Sequence, residues 1–212
     1  MNFATEVARN LLQIKAIKLS PQNPFTWASG LKSPIYCDNR TLLSYPVIRD
    51  MVVEGLVEKS KLFQPFDLVA GVATAGIPHG ALLADRLKLP FVYVRAKAKE
   101  HGRQNLIEGE LKRGQKVLVI EDLISTGGSS LQAVEALRSE GSTVVGVLAI
   151  FSYEFDAAKT SFQQADCPLE TLSNYSTMTQ VALESAYVSS ADQETLRLWR
   201  QDPKQWSTQW EN

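Results

Sequence analysis

Glu121 and Asp122 stand side by side in this chain, and Leu123, Ile124, Ser125, Thr126, Gly127, Gly128, Ser129 and Ser130 follow directly. The set mixes two chemistries. Hydroxyls donate to phosphate oxygens, and glycines let backbone amides approach an anion closely. Paired carboxylates would repel a phosphate, so they must serve differently, by accepting hydrogen bonds from sugar hydroxyls, facing a metal, or meeting positive charge that develops on a substrate. A sugar phosphate satisfies both halves of the set. Just upstream, Val117, Leu118, Val119 and Ile120 form an apolar run suited to a strand buried on both faces, and a helix-compatible segment begins at about Ser130. A strand, loop, helix unit delivers its loop to the positive end of a helix dipole, where an anion is well received. No lysine follows these glycines as a P-loop requires, and G-x-G-x-x-G occurs nowhere. Acids or glycines taken singly mark ordinary surface turns; the ordered set is what distinguishes this stretch.

Two further stretches are placed to serve the same ligand. Residues 67–72 read as a buried strand, followed by Ala73, Thr74, Ala75 and Gly76 and a helix from about Ile77 to Leu87. So little side-chain bulk brings backbone amides near whatever lies above the sheet, a second anion contact; a tight turn built for packing fits the same residues equally well. His79 on that helix reads as structural. After a strand over residues 91–94, residues 95–109 are polar and lack an apolar stripe, with Arg95, Lys97, Lys99 and Arg103 joined by His101. A connection so long and basic is either a functional loop or a solvated face. Because it leads into the acid and glycine stretch, it reads as a cationic flap over an anionic leaving group.

The positioning elements follow from periodicity. Residues 2–18 read as an amphipathic helix, residues 25–38 as a hairpin about Ser29 and Gly30, and residues 46–61 as a helix started by Pro46. From composition alone the hairpin, with Lys32 and Tyr36, is an ordinary one packed on the core. Residues 143–151 form another buried strand. Alternating strands and helices imply an α/β fold, a central mainly parallel sheet with helices on both faces, whose ligands sit beyond the carboxyl ends of the strands. Capping boxes at Thr177 with Gln180 and Ser190 with Gln193 predict helices over 178–186 and 191–201. Trp199, Trp206 and Trp210 pack this tail down or form contacts. One domain is expected, with an N-terminal helix and hood over 1–45, a core over 46–155 and a helical tail over 156–212.

The formal net charge of −1 over 212 residues leaves no basic footprint for nucleic acid. The two cysteines, Cys37 and Cys167, suggest neither a disulfide scaffold nor a zinc site, and two histidines exclude a histidine-rich metal site. With no continuous apolar run at the amino terminus or elsewhere, no membrane span is expected, and the reading is cytoplasmic.

Residues 120–129 resemble the phosphoribosyl-diphosphate signature of the type I phosphoribosyltransferases. Residues 25–36 and 95–102 are similar to the orotate-specific members of that family. The resemblance implies the family's fold with a small hood, and transfer of ribose 5-phosphate from 5-phosphoribosyl 1-diphosphate to orotate, with Mg2+ held mainly by the substrate diphosphate and water. It implies that Ser125, Thr126, Gly127, Gly128 and Ser129 cup the 5′-phosphate, with Leu123 and Ile124 also among the substrate-binding positions. Glu121 and Asp122 would hold the ribose hydroxyls, and Ser125 would also reach the pyrimidine. Arg95, Lys99 and His101 would contact the diphosphate from a flap shared between the subunits of a homodimer. Catalysis would fall to Lys99, His101, Glu121 and Asp122. Many members carry lysine where this chain has Ala28, Ala75 and Ala96, arginine near Tyr153, and Asp-Asp for Glu121-Asp122. Lys32 and Arg40, or hairpin amides, are then the candidates for the orotate carboxylate, with Tyr36 on the same wall. A purine-specific relative would lack this hairpin. A regulator that binds without turnover would want a DNA-binding domain and a basic face.

Overall fold

The computed structural model describes residues 2–97 and 106–210. Helix α1 (Phe3–Gln13) is capped by Asn2, whose side chain accepts from the Ala4 N–H, and it buries Val7, Ala8, Leu11 and Leu12. It stops short of residue 18. Lys15 turns to a φ of 58°, and β1 (Ile17–Leu19) pairs antiparallel with β4 further on, because Ile17 gains full burial there. The hairpin is β2 (Phe25–Thr26) and β3 (Lys32–Ser33), turned at Gly30, whose φ of 87° suits a residue without Cβ. Pro34 has no N–H for a ladder, so the second half of the expected hairpin separates as β4 (Ile35–Cys37) and joins β1 instead. These short strands form the hood.

The helix α2 (Pro46–Ser60) begins at its proline as expected. The core then runs through β5 (Leu68–Val72), α3 (Gly76–Leu87), β6 (Phe91–Val94), β7 (Ile107–Glu108), β8 (Lys116–Ile124), α4 (Gly128–Ser139), β9 (Thr143–Ser152), α5 (Asp156–Gln164) and β10 (Leu169–Asn174). The sheet has six strands in the order β10-β9-β8-β5-β6-β7, parallel except where β7 runs against β6. The tail adds α6 (Tyr175–Glu184), α7 (Gln193–Gln201) and α8 (Pro203–Thr208). Helix α6 starts earlier than expected because Asn174 is the cap, accepting from the Thr177 N–H at 2.9 Å. The capping box before α7 is formed by Ser189 and Asp192, not by Ser190 and Gln193.

Both faces of the sheet are covered. Along β8, Val117 and Val119 join the core beneath α4 and α5, while Leu118 and Ile120 join the core that holds α1, α2 and α3 residues. Burying each such side chain contributes about 1.5–3 kcal/mol. A slip of one residue would exchange these faces and drive Glu121 into an apolar layer, so the core fixes the register that presents the acids. The connections after β5, β6, β8 and β9 all leave at the carboxyl edge. Among the described residues no helix is long and apolar enough to cross a membrane.

Candidate active site

The acids lie within a strand rather than in a loop. The expected strand ends at Ile120, but the ladder to β9 runs on through Glu121↔Ala149, Leu123↔Phe151 and Ile124↔Ser152. Strand β9 is long enough to pair these backbone groups, and pairing outweighs the poor strand propensity of the acids. The connection shrinks to Ser125, Thr126 and Gly127, and α4 starts two residues before Ser130. Gly127 has a φ of 83°, and a Cβ there would lie 2.6 Å from Phe162. It caps α4 with no side-chain hydrogen bond, leaving the first-turn N–H groups without intrahelical partners. Thr126, Gly128 and Ser129 are exposed around them and Ser125 is half-buried, an open cup for an anion. Ile124 is fully buried in the core, and its carbonyl accepts from the Tyr153 N–H at 3.0 Å.

Glu121 is 5% exposed. One carboxylate oxygen accepts from Ser130 Oγ at 3.1 Å and Ser129 Oγ at 3.4 Å, and the other from the Asp122 N–H at 3.1 Å. Ser130 therefore serves the acid pair, not the phosphate cup for which its hydroxyl suited it in the sequence. Burial, and then the charge of Asp122, push Glu121 up to about 8. Burial also raises Asp122, which is half-buried. The Asp122 carbonyl accepts from Asn39 Nδ2 at 2.7 Å, while Asn39 Oδ1 accepts from Cys37 Sγ at 3.5 Å. Asn39 is wholly buried and ties the hood to the acid strand. Nothing in its sequence context announces that role.

The raised Glu121 has a sign that can be measured. From its ordinary range up to about pH 8 the folded chain holds a proton on Glu121 that the unfolded chain has released, so stability falls as pH rises through this window. Glu121→Gln should remove that fall. Urea unfolding at about pH 5 and about pH 8 should show the variant gaining on the parent by on the order of a few kcal/mol at the higher pH. Parallel pH profiles would mean that Glu121 ionises like a surface carboxylate.

The small-residue loop after β5 lies against the same acids. A Cβ on Gly76 would fall 2.5 Å from the Ile120 carbonyl oxygen and 3.2 Å from Glu121 Cα, so α3 begins in direct contact with β8. His79, a turn later, is fully buried and burial lowers it to about 4, which keeps it neutral.

Of the flap, the ends are described. The Arg95 N–H donates to the Leu106 carbonyl at 2.8 Å, and Arg95 Nη1 meets Glu108 Oε1 at 3.5 Å. Strand β7, too short for periodicity to reveal, closes the connection. Arg95 and Ala96 border a cleft of about 460 Å³ with Ala73 and Ser129, so the start of the flap, the β5 loop and the cup share a space. Lys99 and His101 lie outside the described residues.

Beside the acids, a cavity of about 290 Å³ is lined by Thr26, Trp27, Ala28 and Tyr36 of the hood, by Leu123 and Ser125 of the acid strand and cup, and by Cys37 and Tyr153. Trp27 stacks on Tyr153 at 5.6 Å with 20° between planes. Tyr36 is 39% exposed at the rim. Lys32 Nζ donates to Thr26 Oγ1 at 2.9 Å, which brings its charge to the rim. Arg40 is held instead by Asp38, with bonds of 2.7 and 2.9 Å, and this pairing keeps Asp38 below the usual carboxylate range. Sequence reasoning missed Thr26, Trp27 and Cys37 as lining residues; the aromatic cluster of the hairpin was their signal. A larger groove of about 640 Å³ beside α5, lined by Lys159, Phe162 and Glu170 among others, contains none of the acids or cup residues.

Among the described residues no group of three or more His, Cys, Asp or Glu could hold a metal ion. The donor set is the acid pair alone. That fits Mg2+, which keeps several waters and takes one or two carboxylates plus substrate phosphate oxygens.

Residues 50–185 match the family model described as the phosphoribosyl transferase domain. An orotate phosphoribosyltransferase of Listeria monocytogenes serovar 1/2a is 54% identical over 207 residues, 97% of this chain and 99% of the relative. One from Bacteroides fragilis is 56% identical over 210 residues, 98% of each chain. The crystal structure of orotate phosphoribosyltransferase from Aeropyrum pernix superposes with a TM-score of 0.74 at 29% identity, over 86% of this chain and 99% of that one. Such likeness, spread over nearly the whole length and including strand, cup and hood alike, places the chain in the phosphoribosyltransferase family, among the orotate phosphoribosyltransferases.

Proposed function

We propose that the chain transfers ribose 5-phosphate from 5-phosphoribosyl 1-diphosphate to orotate, giving orotidine 5′-monophosphate and diphosphate for pyrimidine synthesis. One observation carries the reading: Ser125, just before the α4 N-terminus, also lines the aromatic cavity, so cup and cavity adjoin. A phosphate in the cup and a planar base in the cavity put the ribose C1 beside the carboxylates. In the reaction the bond from C1 to the diphosphate oxygen breaks as the bond from the orotate ring nitrogen to C1 forms, that nitrogen being presented as an anion. Positive charge develops on the ribose ring and negative charge on the leaving group. Carboxylates fixed beside the ring stabilise the first, and flap cations the second. Bound Mg2+ supplies neutralisation of the diphosphate, and Asp122 is the better placed of the pair to face it, since Glu121 is committed to serine hydroxyls. Thr126, Ser129 and the first α4 amides bind the 5′-phosphate. Lys32 at the rim is the candidate for the orotate carboxylate.

The flap residues Arg95, Lys99 and His101 act on the diphosphate, across the interface of a homodimer. The chain works as a single phosphoribosyltransferase domain in the cytoplasm, a setting supported by the free thiols Cys37 and Cys167. Purified protein given magnesium, phosphoribosyl diphosphate and orotate, uracil, adenine or hypoxanthine should consume orotate alone; consumption of another base with orotate untouched would sink the proposal. Lys99→Ala and His101→Ala should each lower kcat more than about tenfold, or about 1.4 kcal/mol of transition-state stabilisation. Unchanged kcat/KM in both would remove the flap from catalysis. For the dimer, an inactive His101→Ala chain mixed with an inactive Asp122→Asn chain should regain activity, and no regain after verified subunit exchange would mean that each site closes within one chain.

A further inference from the structure

The C-terminal helices touch both walls of the aromatic cavity. Trp199 on α7 is fully buried, and its ring meets Trp27 edge-on at 5.8 Å and 86° and Tyr153 edge-on at 5.5 Å and 90°. Its indole nitrogen has no hydrogen-bond partner among the described residues, so the contribution of Trp199 is the shape and quadrupole of its ring. Ser207 on α8, also buried, accepts from the Lys32 N–H at 2.9 Å and so holds the back of β3. Two more bonds repeat the pattern. Gln22 before the hairpin donates to Asp192 at 2.8 Å, and Arg200 donates to the Glu154 carbonyl next to Tyr153 at 3.2 Å.

We infer that α7 and α8 are a positioning element for the base: they fix the stacked Trp27–Tyr153 pair on the cavity wall, and the β3 backbone at Lys32, through Trp199 and Ser207. The inference rests on reading the cavity as the orotate site. An aromatic wall holds a planar heterocycle only where its rings are correctly placed, since ring attraction falls off within an ångström or so of contact. Neither Trp27 nor Tyr153 sits on a long element of its own. The hairpin has only a two-residue pairing, Phe25↔Ser33 and Thr26↔Lys32, and Tyr153 lies just beyond the end of β9. The phosphate cup is held differently, by β8, α4 and the Phe162 contact at Gly127. A defect in the tail should therefore reach the base and spare the phosphoribosyl donor.

The test is steady-state kinetics of the full-length protein with both substrates varied, alongside thermal unfolding. Ser207→Ala should raise KM for orotate about threefold to tenfold, and Trp199→Leu more than about tenfold, with Trp199→Phe between parent and Trp199→Leu. KM for phosphoribosyl diphosphate should stay within about twofold throughout. Folded tail variants with both KM values unchanged, or with both raised alike, would overturn the inference. If Trp199→Leu fails to fold, Ser207→Ala decides. Ala28→Leu, which fills the cavity, is the companion variant. Should it leave the orotate KM unchanged, the reading of the cavity itself falls, whereas a raised orotate KM there beside unaffected tail variants rejects the tail's role alone.

Discussion

Replacing Asp122 with asparagine is expected to lower kcat/KM by about 10²–10³-fold, a loss of about 3–4 kcal/mol of transition-state stabilisation, while Glu121→Gln should cost only about tenfold. The two acids look equivalent in the sequence but differ in their surroundings. Glu121 is buried and accepts from the Ser129 and Ser130 hydroxyls and the Asp122 N–H, and burial together with the charge of Asp122 raises its pKa. An amide keeps most of those bonds. Asp122 is half-buried, its main chain is fixed by Asn39, and in the proposed reaction it carries the negative charge of the pair toward the ribose. Neutralising it removes charge stabilisation in a partly dehydrated site, where such stabilisation is worth more than in water. Purified variants shown to be folded, assayed with orotate near pH 7, give the comparison. Equal losses, or a greater loss from Glu121→Gln, would assign the developing charge to Glu121 instead.

Gly76→Ala is expected to destabilise the fold by about 2–4 kcal/mol and to lower kcat/KM more than about tenfold. The new methyl would sit 2.5 Å from the Ile120 carbonyl oxygen and 3.2 Å from Glu121 Cα, both backbone atoms of the central strand. No rotamer change can relieve that, so α3 and its loop must retreat from β8, and the loop amides move away from the acids. Gly128→Ala is the matched control, because its Cβ would meet nothing closer than Thr126 Oγ1 at 4.0 Å. That variant should keep its stability within about 0.5 kcal/mol. Chemical denaturation and steady-state kinetics on both proteins separate packing from chemistry. A Gly76→Ala protein as stable and active as the parent would show that the loop can withdraw without consequence.

Much of the site was legible because it is local. The order of strand, acids, hydroxyls, glycines and helix in residues 117–130 is a chain-neighbour pattern, and the structure keeps the order while moving its boundaries. Strand β8 takes in the acids because β9 offers partners as far as Ser152, and α4 begins at Gly128 because Gly127 can adopt a positive φ. Helix α1 was overrun for the complementary reason: Ile17 continues the helical spacing, yet pairing with β4 buries it completely. Boundaries of this kind are set by partners distant in sequence, which periodicity does not see.

The sequence by itself determined the α/β order, the two strand, loop, helix units and the grouping of acids with a phosphate cup, because each follows from propensity and spacing along a few residues. Only the tertiary structure decided that Glu121 turns inward to serine hydroxyls while Asp122 stays half-open, that Asn39 ties the hood to the acid strand, and that Trp27 and Tyr153, far apart along the chain, stack on each other at the wall of a cavity braced by Trp199. These depend on burial and on contacts between elements that meet only when the sheet is closed on both faces.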